Sequence, residues 1–143
     1  MEQATQRMLV MASPERCFDV ATDFLSYSEW SNSVKEVAVV ATDDAGRATQ
    51  VRFSGEALNY KTTFVLAYDY REAPRRLAWS LVDGDIERSL DGEYVFEADG
   101  EGTQCTYVMA VDLRIPLPGF LKRKVEKKIL SAGLQELKER AES

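Results

Sequence analysis

The 143-residue sequence contains no histidine. This absence excludes Ser-His-Asp and Cys-His nucleophile pairs, and it excludes zinc and non-haem iron sites that rely on histidine ligands. Only two cysteines occur, Cys17 and Cys105, and their spacing fits neither a metal site nor a disulfide-rich secreted scaffold. We therefore expect two buried free thiols, no bound metal and no cofactor.

The sequence also lacks long apolar runs. No stretch of 18 consecutive apolar residues is present, and residues 1–5 (MEQAT) lack the basic-then-apolar layout of a secretory signal. Hydrophobic residues make up 45% of the chain, and a chain of this length buries roughly 68% of its unfolded surface. These features predict a single cytoplasmic domain over residues 1–143.

Basic residues are scarce outside the C-terminal end. The net charge is -6, divided into -10 for residues 1–113 and +4 for residues 114–143. An acidic chain is a poor candidate for nucleic-acid binding, which depends on a basic surface. A basic run contains Lys122, Arg123, Lys124, Lys127 and Lys128. It is interpreted either as a solvated helix face or as a transient contact for an anionic membrane or an acidic protein.

Local patterns predict the order β-α-α-β-β-β-β-β-β-α, which is an α+β fold. A strand over 4–12 leads into a short helix over 13–23, where Ser13 is a good N-cap and Pro14 suits the first helical position. A second brief helix follows within 23–31. Strands are predicted at 33–42, 48–58, 60–71, 75–83, 86–98 and 103–114, with a turn at Asn59. A long helix over 120–142 is the element large enough to cover the apolar face of this antiparallel sheet.

Alternation along the strands gives an inner face that is rich in aromatic residues, together with one face of the last helix. We predict that this surface lines a cavity for an apolar ligand, formed by Phe53, Phe64, Leu66, Tyr68, Trp79, Arg88, Leu90, Tyr94, Tyr107, Met109, Val125, Ile129 and Gly133. Two alternatives stay open. The tyrosines can fill a core with their hydroxyls at the sheet rim, and Gly133 can mark close helix packing rather than a bend over a cavity.

Arg88 falls on the inner face near the start of its strand. There its guanidinium could bind an anionic or carbonyl group through paired donors. The alternative is a salt bridge to Asp83 or Asp85 in the preceding turn.

Six segments carry a family resemblance that covers nearly the whole chain: 12–24 (ASPERCFDVATDF), 27–30 (YSEW), 68–70 (YDY), 79–81 (WSL), 91–94 (DGEY) and 116–120 (PLPGF). In order and spacing they resemble START-like SRPBCC proteins, in particular the bacterial polyketide cyclase/dehydrase or coenzyme-Q-binding-like branch. The resemblance implies a helix-grip fold, in which a curved antiparallel sheet of about seven strands wraps around a long C-terminal helix. Two short helices follow the first strand, and the fold encloses a cavity for lipids, quinones, polyketides or hormones.

The expected function is therefore the binding or carrying of a hydrophobic small molecule such as a lipid, a quinone or a polyketide-like compound. No catalytic residue is assigned, because the chain has no histidine and no inward carboxylate is identified as a general base. One alternative is a cofactor-independent polyketide cyclase or dehydratase that uses Arg88 and tyrosine hydroxyls. Another is an accessory protein that contacts its partner through the basic run.

Overall fold

The computed structural model describes residues 2–57 and 60–143, and its elements follow the predicted order. The elements are β1 (Glu2–Val10), α1 (Pro14–Thr22), a 3-10 turn (Phe24–Ser26), α2 (Tyr27–Trp30), β2 (Val34–Thr42), β3 (Ala48–Ala57), β4 (Tyr60–Asp69), β5 (Arg76–Gly84), β6 (Glu87–Asp99), β7 (Gly102–Leu113) and α3 (Gly119–Glu142). The predicted end of a strand at Leu58 and the turn at Asn59 lie outside the described residues.

One antiparallel sheet contains the seven strands in the order β1-β7-β6-β5-β4-β3-β2. Strands β2 to β7 follow one another through hairpin connections, whereas β1 pairs with β7. Because β1 and β2 form opposite edges of the sheet, α1 and α2 carry the chain from one edge to the other. The sheet curves around α3, which packs against β1, β7 and β3. This is the expected helix-grip fold.

The start of α1 follows the capping chemistry of its sequence. The Ser13 hydroxyl accepts a hydrogen bond from the Arg16 backbone N–H at 3.1 Å, and Pro14 begins the helix. The inward face of α1 buries Cys17, and Cys105 of β7 is buried as well. Both cysteines are free, as expected.

The core lies between the concave face of the sheet and α3. Fully buried side chains come from the sheet and from the second half of α3: Leu77, Phe96, Val111, Leu113, Leu134 and Leu137. Helix α3 runs without interruption through Gly133. None of the helices within the described residues is long and apolar enough to span a membrane.

A buried carboxylate that the sequence did not indicate joins α3 to the end of β7. Glu126 is fully buried and accepts a hydrogen bond from the Leu113 backbone N–H at 2.9 Å. The Lys122 ammonium lies 3.6 Å from Glu126 and 2.7 Å from Asp112. This group of contacts holds the first half of α3 on the sheet, and it takes Lys122 out of the freely exposed basic run.

Candidate functional site

A cavity of two adjoining lobes lies between the sheet and α3. The lobes measure about 150 and 140 Å³. They share apolar walls from β2, β3, β4, β6, β7 and α3, formed by Val34, Phe53, Phe64, Leu90, Met109 and Gly133, together with Ser31. Interior space of this kind is unusual in a close-packed protein core and is typical of a ligand site.

The first lobe, here called the carboxylate lobe, contains the charged groups of the site. Glu87 of β6 and Thr62 of β4 lie in its wall, and Ile129 of α3 covers it. Ser33 is exposed, and Ser31, Glu56 and Glu136 are half-buried; these four lining residues are here called the rim. The backbone N–H of Asn32 donates to Glu136 at 2.7 Å, which ties the loop between α2 and β2 to α3.

The second lobe, here called the aromatic lobe, is walled by rings. Between ring centroids, Trp79 lies 5.3 Å from Tyr94, 6.0 Å from Tyr107 and 6.1 Å from Tyr68. Tyr27 and Trp30, from the segment after α1, complete the wall. These contacts form one continuous aromatic surface that can pack against a flat or apolar ligand.

The hydroxyls in the aromatic lobe are neutral groups. Burial raises the pKa of Tyr68, Tyr94 and Tyr107 well above the ordinary value of 10.0. The Tyr107 hydroxyl donates to the Met109 sulfur at 2.7 Å. For the Tyr94 hydroxyl, no hydrogen-bond partner is found within residues 2–57 and 60–143. Tyr94 can therefore donate to or accept from a ligand, but it cannot act as a base near neutral pH.

The structure brings most of the residues predicted from the sequence to this cavity. Its walls include Phe53, Phe64, Leu66, Tyr68, Trp79, Leu90, Tyr94, Tyr107, Met109, Ile129 and Gly133. Val125 is buried but packs in the core rather than in either lobe. Tyr70 shows the alternative arrangement, because its hydroxyl donates to the Ala48 carbonyl at 2.6 Å, away from both lobes.

The predicted inward position of Arg88 is wrong. The register of β6 against β7 shifts between Glu87 and Ser89, so that Arg88 is the extra residue of a β-bulge. The bulge turns the Arg88 side chain to solvent and places Glu87 inside. No ion pair between Arg88 and Asp83 or Asp85 is present in the described part of the chain either.

Glu87 is the functional candidate that sequence reasoning missed. It is 3% exposed, and the Thr62 hydroxyl lies 2.9 Å from both of its carboxylate oxygens. Burial raises the pKa of Glu87 above the ordinary 4.5, an effect that the hydrogen bond from Thr62 partly offsets. The sequence signal for an inward charge was a pair of consecutive charged residues at the start of the strand. Neighbouring side chains in a regular strand face opposite sides, so one of the two must face inward.

The close approach of β5 to Glu87 depends on a glycine. A Cβ atom at Gly84 would lie 2.5 Å from Oε1 and 2.9 Å from Cβ of Glu87. Gly84 therefore leaves the space that the Glu87 side chain occupies.

Comparison with known proteins gives a consistent family assignment. The family described as "Polyketide cyclase / dehydrase and lipid transport" matches residues 1–142. A START superfamily protein from Mycobacterium smegmatis is similar in structure, with a TM-score of 0.86 and 23% identity over 98% of this chain and 97% of the other. TTHA0849 from Thermus thermophilus has a TM-score of 0.83 and 25% identity, with 98% and 97% covered.

A third similar structure is the Zhui aromatase/cyclase from Streptomyces sp. R1128, with a TM-score of 0.83 and 18% identity over 99% of this chain and 93% of that one. No curated protein matches the sequence.

Proposed function

Because the chain belongs to the polyketide cyclase / dehydrase and lipid transport family and has the START-like helix-grip fold, we propose that it binds a hydrophobic small molecule in its two-lobed cavity. The composition of the cavity wall supports this proposal. Apolar side chains from the sheet and α3 surround a few polar groups there. Sites for small molecules combine apolar walls with a few orienting polar groups in this way. Lipids, quinones and polyketide-like compounds are the candidate ligands.

The size of the cavity narrows the choice of probe. An engineered apolar cavity of about 150 Å³ in another protein holds benzene, and each lobe here is close to that size. A two-ring molecule such as naphthalene therefore suits the two lobes together. Longer ligands would extend past the rim at Ser31 and Ser33.

Gly133 offers a matched pair of variants for testing the site. Its position on α3 faces Tyr107, whose hydroxyl would lie 3.4 Å from an added Cβ. Gly133→Ala adds only that atom and a gain in helix propensity of about 1 kcal/mol. Gly133→Leu places a branched side chain in both lobes.

We expect the wild-type protein and Gly133→Ala to bind naphthalene, dodecanol or a short-chain quinone saturably in isothermal titration calorimetry. Gly133→Leu should lose at least tenfold in affinity while its circular dichroism spectrum stays unchanged. If none of the three probes binds the wild type, or if Gly133→Leu binds them equally well, the proposed site is wrong.

A cyclase or dehydratase activity is the second candidate, and Glu87 is the observation that favours it. Its carboxylate lies in the cavity wall and can exchange a proton with a bound polyketone. The sequence predicted that the Arg88 guanidinium takes part in such a reaction. Arg88 is exposed, so its guanidinium is not available inside the cavity. In a reconstituted polyketide assay, Glu87→Gln should lower product formation at least 100-fold, whereas Arg88→Gln should not. Equal activity of wild type and Glu87→Gln would exclude the carboxylate as the proton-transfer group.

We also propose that the start of α3 contacts anionic membranes. Phe120 is 66% exposed and lies beside the exposed side chains of Arg123, Lys124 and Lys127. An exposed ring flanked by cations fits an anionic lipid surface, where each cation contributes about 1 kcal/mol.

A cytoplasmic location and a bacterial origin stay predictions.

Vesicle cosedimentation tests this contact. The wild type should sediment with vesicles containing 30% anionic phospholipid (roughly the charge density at which basic segments bind) and not with neutral vesicles. Lys124→Glu with Lys127→Glu should abolish binding, and Arg7→Glu with Arg52→Glu, at exposed positions of β1 and β3, serves as the charge-matched control. Binding that is indifferent to lipid charge or to these substitutions would leave the basic run as a solvated helix face.

A further inference from the structure

The cavity wall carries negative but no positive side chains. Neither lobe is lined by a lysine or an arginine anywhere in the described ranges 2–57 and 60–143, whereas Glu56, Glu87 and Glu136 line the carboxylate lobe. Glu56 and Glu136 are part of the rim and are half-buried, whereas Glu87 is buried. Glu87 is the charged group that a ligand inside the cavity would meet without intervening bulk water.

Glu87 has spare hydrogen-bonding capacity. Its donors are the Thr62 hydroxyl at 2.9 Å, the Ile86 backbone N–H at 3.3 Å and its own backbone N–H. A carboxylate offers about four acceptor sites, and the single hydroxyl hydrogen of Thr62 serves only one oxygen at a time. At least one acceptor site therefore stays available on a side chain that lines the carboxylate lobe.

The nearest lysines lie outside the cavity. Lys35 and Lys61 are exposed and line a separate groove that shares Ser54, Gly55, Glu56 and Thr62 with the carboxylate lobe. Lys61 follows the regular alternation of β4 and points away from the side of the inward-facing Thr62. Lys35 is the extra residue of a bulge in β2, and its exposure shows that it points to solvent. A carboxylate held inside the cavity would have no cation to pair with among the lining residues.

We propose that this cavity selects apolar ligands bearing a hydroxyl or amine donor and rejects free carboxylates. The Glu87 carboxylate accepts a hydrogen bond from the donor group of the ligand. This inference rests on the proposed ligand-binding function. It favours phenolic, alcohol-bearing or amine-bearing molecules over fatty acids as the ligand class. Gly84 and the bulge at Arg88 are the features that place the carboxylate where it can act in this way.

The physical basis is the cost of an unpaired charge in an apolar site. A hydrogen bond to a charged group contributes about 1.5–3 kcal/mol, which corresponds to roughly tenfold or more in affinity. A ligand carboxylate near ionised Glu87 meets repulsion that water screens only weakly inside the cavity. Donor and acid versions of one ring system should therefore differ strongly in affinity.

Calorimetry with naphthalene, 2-naphthol and 2-naphthoate at pH 7 tests the proposal. These three molecules share a ring system and differ in the attached group. We expect the wild type to bind 2-naphthol about tenfold more tightly than naphthalene and at least tenfold more tightly than 2-naphthoate. Glu87→Gln removes the charge and adds a donor, so it should narrow the preference for 2-naphthol over 2-naphthoate by at least tenfold.

The control variant is Glu97→Gln, which removes an exposed carboxylate of the same strand outside both lobes and should leave the preference within about twofold of wild type. If the wild type binds 2-naphthoate as tightly as 2-naphthol, or if Glu97→Gln rather than Glu87→Gln changes the preference, the inference is overturned. In both of those cases naphthalene still binds, and the proposed function stands. If naphthalene does not bind either, the proposed function itself has failed.

Discussion

The Glu87 carboxylate is held in an apolar wall, where it accepts a hydrogen bond from the Thr62 hydroxyl. Its pKa is raised in the folded state relative to 4.5 because burial disfavours the charge. Its contribution to the free energy of unfolding is therefore fully present below about pH 4.5 and is lost as the pH rises through the folded-state pKa. The ionised form of the buried group therefore lowers stability.

Glu87→Gln should thus be more stable than the wild type at pH 7, and the difference should shrink toward pH 4. Glutamine keeps the shape and an acceptor oxygen for Thr62 but carries no charge. Urea unfolding of both proteins at pH 4, 5.5 and 7 measures the difference. A gap that is independent of pH, or that favours the wild type at pH 7, would show that burial does not penalise this carboxylate.

Gly84 makes room for Glu87, so we expect Gly84→Ala to destabilise the protein by about 1–3 kcal/mol through overpacking. In a Glu87→Ala background the carboxylate is gone, although the Cβ contact at 2.9 Å persists. The same Gly84 substitution should then cost at least 0.5 kcal/mol less, on the order of the coupling between residues in contact. Additive effects in this double-mutant cycle would mean that the close approach of β5 is unrelated to Glu87.

At the residue scale, alternation predicted most of the aromatic wall correctly, because Tyr94 and Tyr107 lie in strands whose pleat is unbroken. It failed at Arg88 because a bulge adds one residue and reverses the faces beyond it. Nothing in local propensity marks the bulge, which follows from how β6 pairs with β7. The same irregularity hid Glu87.

Among the structural elements, the loop between α2 and β2 forms part of the cavity rim. Its Asn32 backbone N–H donates to Glu136 of α3 at 2.7 Å, and its residues Ser31 and Ser33 line the carboxylate lobe. The loop is therefore fastened to the helix beside the carboxylate lobe. This contact joins segments far apart in sequence, and periodicity gave no sign of it.

Glu136→Ala should loosen this loop and speed amide exchange at Asn32 by roughly fivefold, since one exposed hydrogen bond contributes about 1 kcal/mol. Glu136→Gln retains an acceptor oxygen and should exchange close to the wild-type rate. Amide exchange rates from NMR on the three proteins distinguish the two effects. Equal rates in all three would mean that the hydrogen bond does not hold the loop in solution.

The bounds of the helices and strands predicted from the sequence lie close to the observed bounds. The reason is that turn residues separate the strands and that Pro118 precedes α3. The predicted strand at 75–83 became Arg76–Gly84, and the helix predicted at 120–142 became Gly119–Glu142. The buried Glu126 was not predicted, since a glutamate in a helix is ordinarily solvated. Its partner is a backbone N–H at the end of β7, which only the tertiary fold brings into reach.

For the molecule as a whole, seven strands, two short helices and one long helix build a helix-grip fold around interior space. The resemblance seen in six short segments implied this architecture, and the family match confirms it. Whether a cavity exists depends on the distance between α3 and the sheet. No local pattern in a single sequence determines that distance. That the chain is a single domain stays a prediction.

We propose that an apolar molecule occupies the space between the sheet and α3. NMR of methyl-labelled methionine residues measures this occupancy. Of the four methionines, Met109 lines both lobes, whereas Met8 lies on β1 and Met11 is exposed. On titration with 2-naphthol, we expect the Met109 methyl resonance to shift saturably under the ring current of the ligand, with Met8 and Met11 unchanged. A Met109 resonance that does not move, or equal shifts at Met109, Met8 and Met11, would contradict the claim.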